Sequence, residues 1–220
     1  MQTTIPVITL DGPAASGKGT IAERVADALG FHYLDSGALY RIATLAALRA
    51  GIPLDDAEAL TAAAQKLSPL FEGGRIYLDG DDVTLAIRSE EVSAATSRVA
   101  VVPGVRAALF ALQKNAAKLP GLVADGRDMG TVVFPDAPLK VFMTASARVR
   151  AERRYKQLIG RGEAADLAAL TADLEERDRR DSARATAPLR PAEDAKVLDT
   201  SEMGIEEVVK KVLTWWDEAR

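Results

Sequence analysis

The chain has 220 residues, 48% of them hydrophobic, enough to bury a sizeable core in one domain or slightly more. Its net charge of −4 gives no electrostatic footprint for nucleic acid or an anionic membrane, and the absence of cysteine excludes disulfides and thiolate chemistry. Residues 1–6 lack a basic segment and a long apolar core, and no apolar run approaches a membrane span, so the expectation is a soluble cytoplasmic enzyme without nucleic-acid or membrane partners.

The first element is the apolar run Val7-Ile8-Thr9-Leu10, read as a strand, followed directly by GPAASGKGT at 12–20. Ile21, Val25 and Leu29, four apart, then mark a helix. Strand, glycine-rich turn, Lys18 and helix form the context of a phosphate-binding loop. Gly12, Gly17 and Gly19 let successive backbone N–H groups converge, with Pro13, Ala14, Ala15 and Ser16 between them, and the helix start adds its positive end. Lys18 supplies a mobile cation for the outer phosphates of a triphosphate. The stretch GKGTIA at 17–22 also reads as a dinucleotide motif, but six residues separate Leu10 from Gly17, too many for the tight turn that fold requires. The hydroxyl follows one position late: Gly19 stands after Lys18 and Thr20 after that.

Four further short apolar runs read as strands: 31–34, 122–124, 140–144 and 196–198. His32, the single histidine, falls in the first of these and has no ligand cluster around it, so it is read as a strand residue. Helical spacing marks Val105, Ala108, Leu109 and Leu112. It also marks Ile205, Val208, Val209, Val212, Leu213 and Trp216, with Glu206 and Glu207 suited to a first turn. The alternation predicts an α/β protein: a five-stranded parallel sheet wrapped by helices, with ligands at the carboxyl ends of the strands. Two segments break the rhythm. Residues 76–87 carry two alternating runs around Asp79-Gly80, a hairpin signal placing a small antiparallel β insert near 65–92. Residues 148–190 carry ten arginines interleaved with acids on helical spacings, which in the plainest reading is a solvated helix face.

Three more segments carry chemistry. DSGALYR at 35–41 follows the second strand, and ADGRDMG at 124–130 follows the third. In ERDRRDSAR at 176–184, Arg177, Asp181 and Arg184 fall at i, i+4 and i+7 and are expected on one helix face. Arginine forks suit phosphate, and carboxylates suit sugar hydroxyls and base amines. A guanine-reading switch is contradicted, because Asn115, the single asparagine, is followed by Ala116-Ala117-Lys118 rather than by a lysine and an aspartate.

At these segments the chain resembles the bacterial cytidylate kinases, a branch of the nucleoside-monophosphate kinases. The likeness spans essentially the whole chain and includes TSRVA at 96–100, ADGRDMGTVVFPDA at 124–137 and KVLDTSEMGIEEV at 196–208. It implies a core over 1–40, 106–147 and 163–220, a monophosphate-binding region with its insert over 41–105, and a short helical lid over 148–162. It implies transfer of a phosphoryl group from ATP to CMP or dCMP, by a monomer. Carried over by position, Arg41, Arg127 and Arg184 would grip the CMP phosphate, and Ser97, Arg106 and Asp128 would read cytosine. Tyr40, Arg177 and Asp181 would hold the sugar, with Asp35 and Ser36 shaping that pocket. Arg153 and Arg154 would close over the transferring group. The order Gly-Lys-Gly-Thr matches this family and argues against direct Mg²⁺ coordination at the position after Lys18. A mostly hydrated Mg²⁺ is expected instead, held through water by Asp125 at its strand end and near Thr20.

Overall fold

The computed structural model describes residues 5–220, so the reading of the leading segment lies mostly outside the described residues. In chain order the elements are β1 (Val7–Asp11), α1 (Lys18–Leu29), β2 (His32–Asp35), α2 (Ser36–Arg49), α3 (Ala57–Gln65), β3 (Leu70–Glu72), β4 (Arg75–Leu78) and β5 (Asp81–Asp82). There follow α4 (Glu90–Val99), α5 (Pro103–Asn115), β6 (Leu122–Gly126), β7 (Leu139–Thr144), α6 (Ala147–Gly160), α7 (Leu167–Ser182), β8 (Lys196–Asp199) and α8 (Ile205–Ala219). The chain forms two compact units, one running through Leu34 and resuming at Ala116–Arg220, the other Asp35–Asn115. No single helix among the described residues is long and apolar enough to cross a membrane.

The larger unit is built on the parallel sheet β2-β6-β1-β7-β8. β1 lies at its centre, with Asp11 in register with Gly126 on one side and Phe142 on the other. Every residue of β1 and β6 is buried, the condition of a parallel strand covered on both faces. Ile21 and Val25 of α1 pack with Val208, Val209, Val212 and Trp216 of α8 over Ile8, Leu10, Val123, Val141 and Met143. Each such aliphatic side chain contributes about 1.5–3 kcal/mol on burial. All five predicted strands are present, and four of them run one or two residues further at the carboxyl end, to Asp11, Asp35, Gly126 and Asp199. That extension carries carboxylates to the edge where ligands bind. Phe31 is a correction: it stands outside the strand because its N–H donates to Ala26 O, closing α1 around Gly30 at φ 64. Its ring meets Trp216 edge-on at 5.8 Å. His32 opens β2, its Nε2 2.9 Å from Leu119 O.

The smaller unit combines α2–α5 with the antiparallel sheet β3-β4-β5. Its core joins Ala38, Ile42 and Leu45 of α2 to Ile76, Leu78, Val83, Ile87 and Val92. The predicted hairpin turn is there: β4 and β5 pair as Leu78↔Asp81 around Asp79 (φ 52) and Gly80 (φ 90), the two positive φ values of a type I′ turn. The second predicted run is corrected. Beyond β5 the chain leaves the sheet into a 3₁₀ turn at Ala86–Arg88, and the third strand is β3 from the other side. Val83 and Ile87 both reach the core from that turn.

Asp79-Gly80 sets this register, so Gly80→Ala forces a Cβ into a left-handed position. The expected cost is about 1 kcal/mol, read as a lower denaturation midpoint with an unchanged m-value.

Candidate functional site

The phosphate loop leaves β1 between the carboxyl ends of two neighbouring strands. Gly12 is fixed there by contact, since a Cβ would stand 2.2 Å from the backbone oxygen of Met143. The chain then reverses through Ala15 (φ 58) and Gly17 (φ 88), the left-handed residues that turn adjacent amides into one concavity. Gly17 caps α1 without a side-chain bond, leaving that helix end to an external anion. Ala14 is buried against Ala151 and Leu174 of α6 and α7, with Ala15 packed on them. Lys18 is buried, and its Nζ donates to Pro13 O at 3.1 Å. The Ser16 hydroxyl is buried with no partner.

The late hydroxyl has a steric cause. A Cβ at Gly19 would lie 3.2 Å from Asp125 Oδ2 and 3.4 Å from the Tyr33 hydroxyl, so Ser or Thr there would crowd the carboxylate. Thr20 is exposed on the next position. A buried carboxylate beside the first turn of α1 is a hard oxygen donor, which fits a hydrated Mg²⁺ held through water.

Sequence reasoning missed Asp11. It ends β1, is buried, and accepts from Met129 N and Gly130 N at 2.8 Å each. Those amides open the wide turn Met129–Val133, so Asp11 fixes the segment that carries Arg127 and Asp128. Burial pushes its carboxyl up to about 6, opposed by the two amides and by the Lys18 charge, and reinforced by Asp128. An aspartate at the end of a strand was the available signal, but its partners are backbone amides that no spacing rule reveals.

Within the same unit, Arg127 Nε donates to Asp181 Oδ2 at 3.1 Å, and Arg184 donates to the other oxygen of that carboxylate. Asp181 is 1% exposed and holds two half-buried guanidinium groups side by side. Arg184 is a correction: α7 ends at Ser182, so Arg184 reaches Asp181 from beyond the helix rather than along its face. Arg177 and Asp181 are in α7, Asp181 buried and Arg177 half-buried, and Asp128 is buried past the end of β6.

In the smaller unit Asp35 N-caps α2 by accepting from Ala38 N at 2.9 Å, and its second oxygen accepts from Arg41 Nη2 at 2.6 Å. Gly37 leaves room for this pair, because a Cβ there would lie 3.0 Å from Arg41 Nη1. Arg41 Nε is buried without a partner. Ser36 is buried, Arg106 lies 5.8 Å over the Tyr40 ring, and Ser97 Oγ donates to Ala94 O at 3.1 Å.

The arginine-rich stretch divides. Arg148, Arg179 and Arg180 form exposed one-turn pairs with Glu152 and Glu176, the solvated-face reading. Arg153 instead donates to Ser16 O at 3.1 Å and to Thr200, and Arg154 is half-buried on the same helix. Arg150, which the sequence reading left among the surface arginines, is 3% exposed; it donates to Ala14 O at 3.1 Å and grips Asp178 with both Nη atoms.

A central parallel strand, a glycine-rich reversal and a lysine at a helix start define the P-loop class of α/β proteins. In fold the chain is similar to a crystal structure of a gluconokinase from Sinorhizobium meliloti 1021, with TM-score 0.51 and 18% identity, covering 97% of this chain and 92% of that one. The cytidylate kinase family model matches residues 8–218. The chain is 58% identical over 219 residues to a cytidylate kinase of Cupriavidus necator, covering 100% of this chain and 99% of that protein. It is 55% identical over 215 residues to one of Chromobacterium violaceum, covering 98% and 97%. The chain belongs to the cytidylate kinase family.

Asp11 gives the site a pH signature. Its folded pKa, about 6, lies above the unfolded value of 3.8, so the folded protein holds an extra proton between them. The stability this confers is full below about pH 4 and is lost as pH rises through 6, about 3 kcal/mol for this group. A carboxyl-carbon NMR titration should place the Asp11 midpoint near 6, and the stability of wild type relative to Asp11→Asn should fall across that window. An Asp11 midpoint at the ordinary aspartate value would remove the burial argument.

Proposed function

We propose that this chain transfers the γ-phosphoryl group of ATP to the phosphate of CMP or dCMP, giving ADP and CDP or dCDP. Family membership supports the substrate class. The observation that carries the chemistry is the buried Asp181 carboxylate with Arg127 and Arg184 on its two oxygens. Two guanidinium groups fixed together make a receptor for a dianion, and guanidinium forks suit phosphate oxygens.

Phosphoryl transfer between two anionic substrates passes through a loose transition state, so the protein works by position and charge. Residues 12–20 cradle the ATP phosphates, with Lys18 on the outer ones. Arg127 and Arg184, together with Arg41 from the smaller unit, take the acceptor phosphate. The buried, unpartnered Arg41 Nε supports a ligand at that residue, because an unmet buried donor costs about 1–3 kcal/mol. Asp128, Ser97 and Arg106 read the base; Tyr40, Arg177 and Asp181 hold the sugar, with Asp35 and Ser36 shaping its pocket. The acceptor is already an anionic nucleophile, so no catalytic base is required. Mg²⁺, when bound with ATP, neutralises phosphate charge. Asp125 would orient its water, with Thr20 close to the same helix turn. By the family resemblance residues 148–162 are assigned as a lid, with Arg154 excluding water from the transferring group, whereas Arg153 is already engaged by Ser16 O and Thr200.

Lys18→Ala should lower kcat by about 10²–10³, or ~3–4 kcal/mol, with an unchanged circular dichroism spectrum. Retention of most of the wild-type turnover would remove Lys18 from the reaction.

Base choice is assigned to Asp128. Cytosine offers an N4 amine donor where uracil offers an O4 acceptor, so a carboxylate favours the first and repels the second. Asp128→Ala should narrow the CMP-to-UMP ratio of kcat/KM by ~1–3 kcal/mol at saturating ATP. An unchanged ratio places base reading elsewhere.

A further inference from the structure

A loop that turns its amides toward an anion must send its carbonyl oxygens outward, and each of those needs a donor. Here three of the donors are side chains and one is a main-chain amide. Lys18 takes Pro13 O, Arg150 takes Ala14 O, Arg153 takes Ser16 O, and Ile21 N takes Gly17 O. The two arginines come from successive turns of α6 and bracket Ala15, which sits at φ 58. A left-handed backbone is disfavoured for any residue with a Cβ, so alanine holds it only where its surroundings impose it. The methyl group packs against Ala14, Ala151 and Leu174, while the Ala14 carbonyl held by Arg150 lies in the peptide plane before Ala15 and the Ser16 carbonyl held by Arg153 in the plane before Gly17, at φ 88.

Both arginines are anchored away from the loop. Arg150 is held by the Asp178 carboxylate and by Ala145 O, to which its Nε donates at 2.8 Å. Arg153 is held by Thr200 after β8. Their directions are therefore set by α7 and by the end of the sheet, not by the loop they contact.

Taking this loop as the ATP site, as proposed above, we infer that Arg150, by fixing the peptide plane before Ala15, is a positioning residue that imposes the left-handed conformation there and, with Arg153 on the Ser16 carbonyl, preforms the amide concavity for the polyphosphate. Through Asp178, Arg150 also ties the loop to the helix that carries Arg177 and Asp181.

The test uses the full-length chain and measures the effect of Arg150→Met twice, in the wild-type background and on top of Ala15→Gly. Glycine reaches the left-handed region without help, so it should remove the dependence on the arginine. In the wild-type background Arg150→Met should raise KM for ATP about tenfold, equivalent to ~1.4 kcal/mol, with KM for CMP changed by less than about twofold. On top of Ala15→Gly the same change should raise KM for ATP by no more than about threefold. A purely structural arginine would affect both substrates and give equal losses in both backgrounds, and either result overturns the inference. So does a folded Arg150→Met protein with wild-type KM for ATP. Should Arg150→Met fail to fold, Arg150→Lys, which keeps a cation beside Asp178 but lacks the fork that also reaches Ala14 O, carries the same comparison. Equilibrium binding of ATP in the absence of CMP decides between the two readings. A wild-type protein that phosphorylates no nucleoside monophosphate defeats the kinase proposal, whereas unchanged ATP binding in the arginine variants defeats the positioning role.

Discussion

The phosphate loop has to be rigid before its ligand arrives, and this constraint organises the unit around it. Backbone amides bind an anion well only if they already point at it, because reordering a loop during binding consumes the affinity the contacts provide. Rigidity comes from three directions. Gly12 is pressed against the Met143 carbonyl, Ala14 rests on α6 and α7, and side chains from α1 and α6 hold the outward carbonyls. Asp11 extends the same stiffness sideways, from the end of β1 to the turn after β6. The phosphate loop and the segment bearing Arg127 and Asp128 are thus braced together.

Carboxylates are the second organising element, and their work is to aim arginines. Asp35 holds Arg41, Asp181 holds Arg127 and Arg184, and Asp178 holds Arg150. A free arginine carries about 2 kcal/mol of rotamer entropy, much of which would be lost on gripping phosphate. Fixing one edge of the Arg41 or Arg127 guanidinium beforehand removes part of that loss. At Asp181, 1% exposed, the pairing also meets the need of the carboxylate, since a buried carboxylate must be paired or hydrogen-bonded.

The parallel core was legible in the sequence because its strands are continuous apolar runs, a pattern few other elements produce at that length. The loop was legible because glycine at 12 and 17 and lysine at 18 answer to backbone geometry and charge that have few substitutes. What escaped was everything whose partner is main chain. Asp11 and Arg150 bond backbone amides and carbonyls, and those atoms carry no residue identity to count. The segment after Gly80 was misread for another reason: Val83, Leu85 and Ile87 alternate like a strand, while Val83 and Ile87 also fall four apart like a helical turn. Leu85, 81% exposed, shows which spacing the core obeys. Only the helix-face placement of Arg184 failed, because i+7 spacing assumes a helix that stops two residues earlier.

Gly19 joins these threads. Family resemblance supplied the order Gly-Lys-Gly-Thr without a cause, and the structure supplies one in the approach of Asp125 to the helix. A side chain at 19 would push that carboxylate away from the first turn of α1, where a hydrated cation and the outer phosphates would both need it. The loop therefore gives up a hydroxyl that could bind a metal directly and gains a carboxylate that can bind one through water. Direct coordination would fix the metal to the loop, whereas coordination through water lets it stay with the ATP phosphates. A kinase that must release its metal with ADP after every turnover is served by the second arrangement.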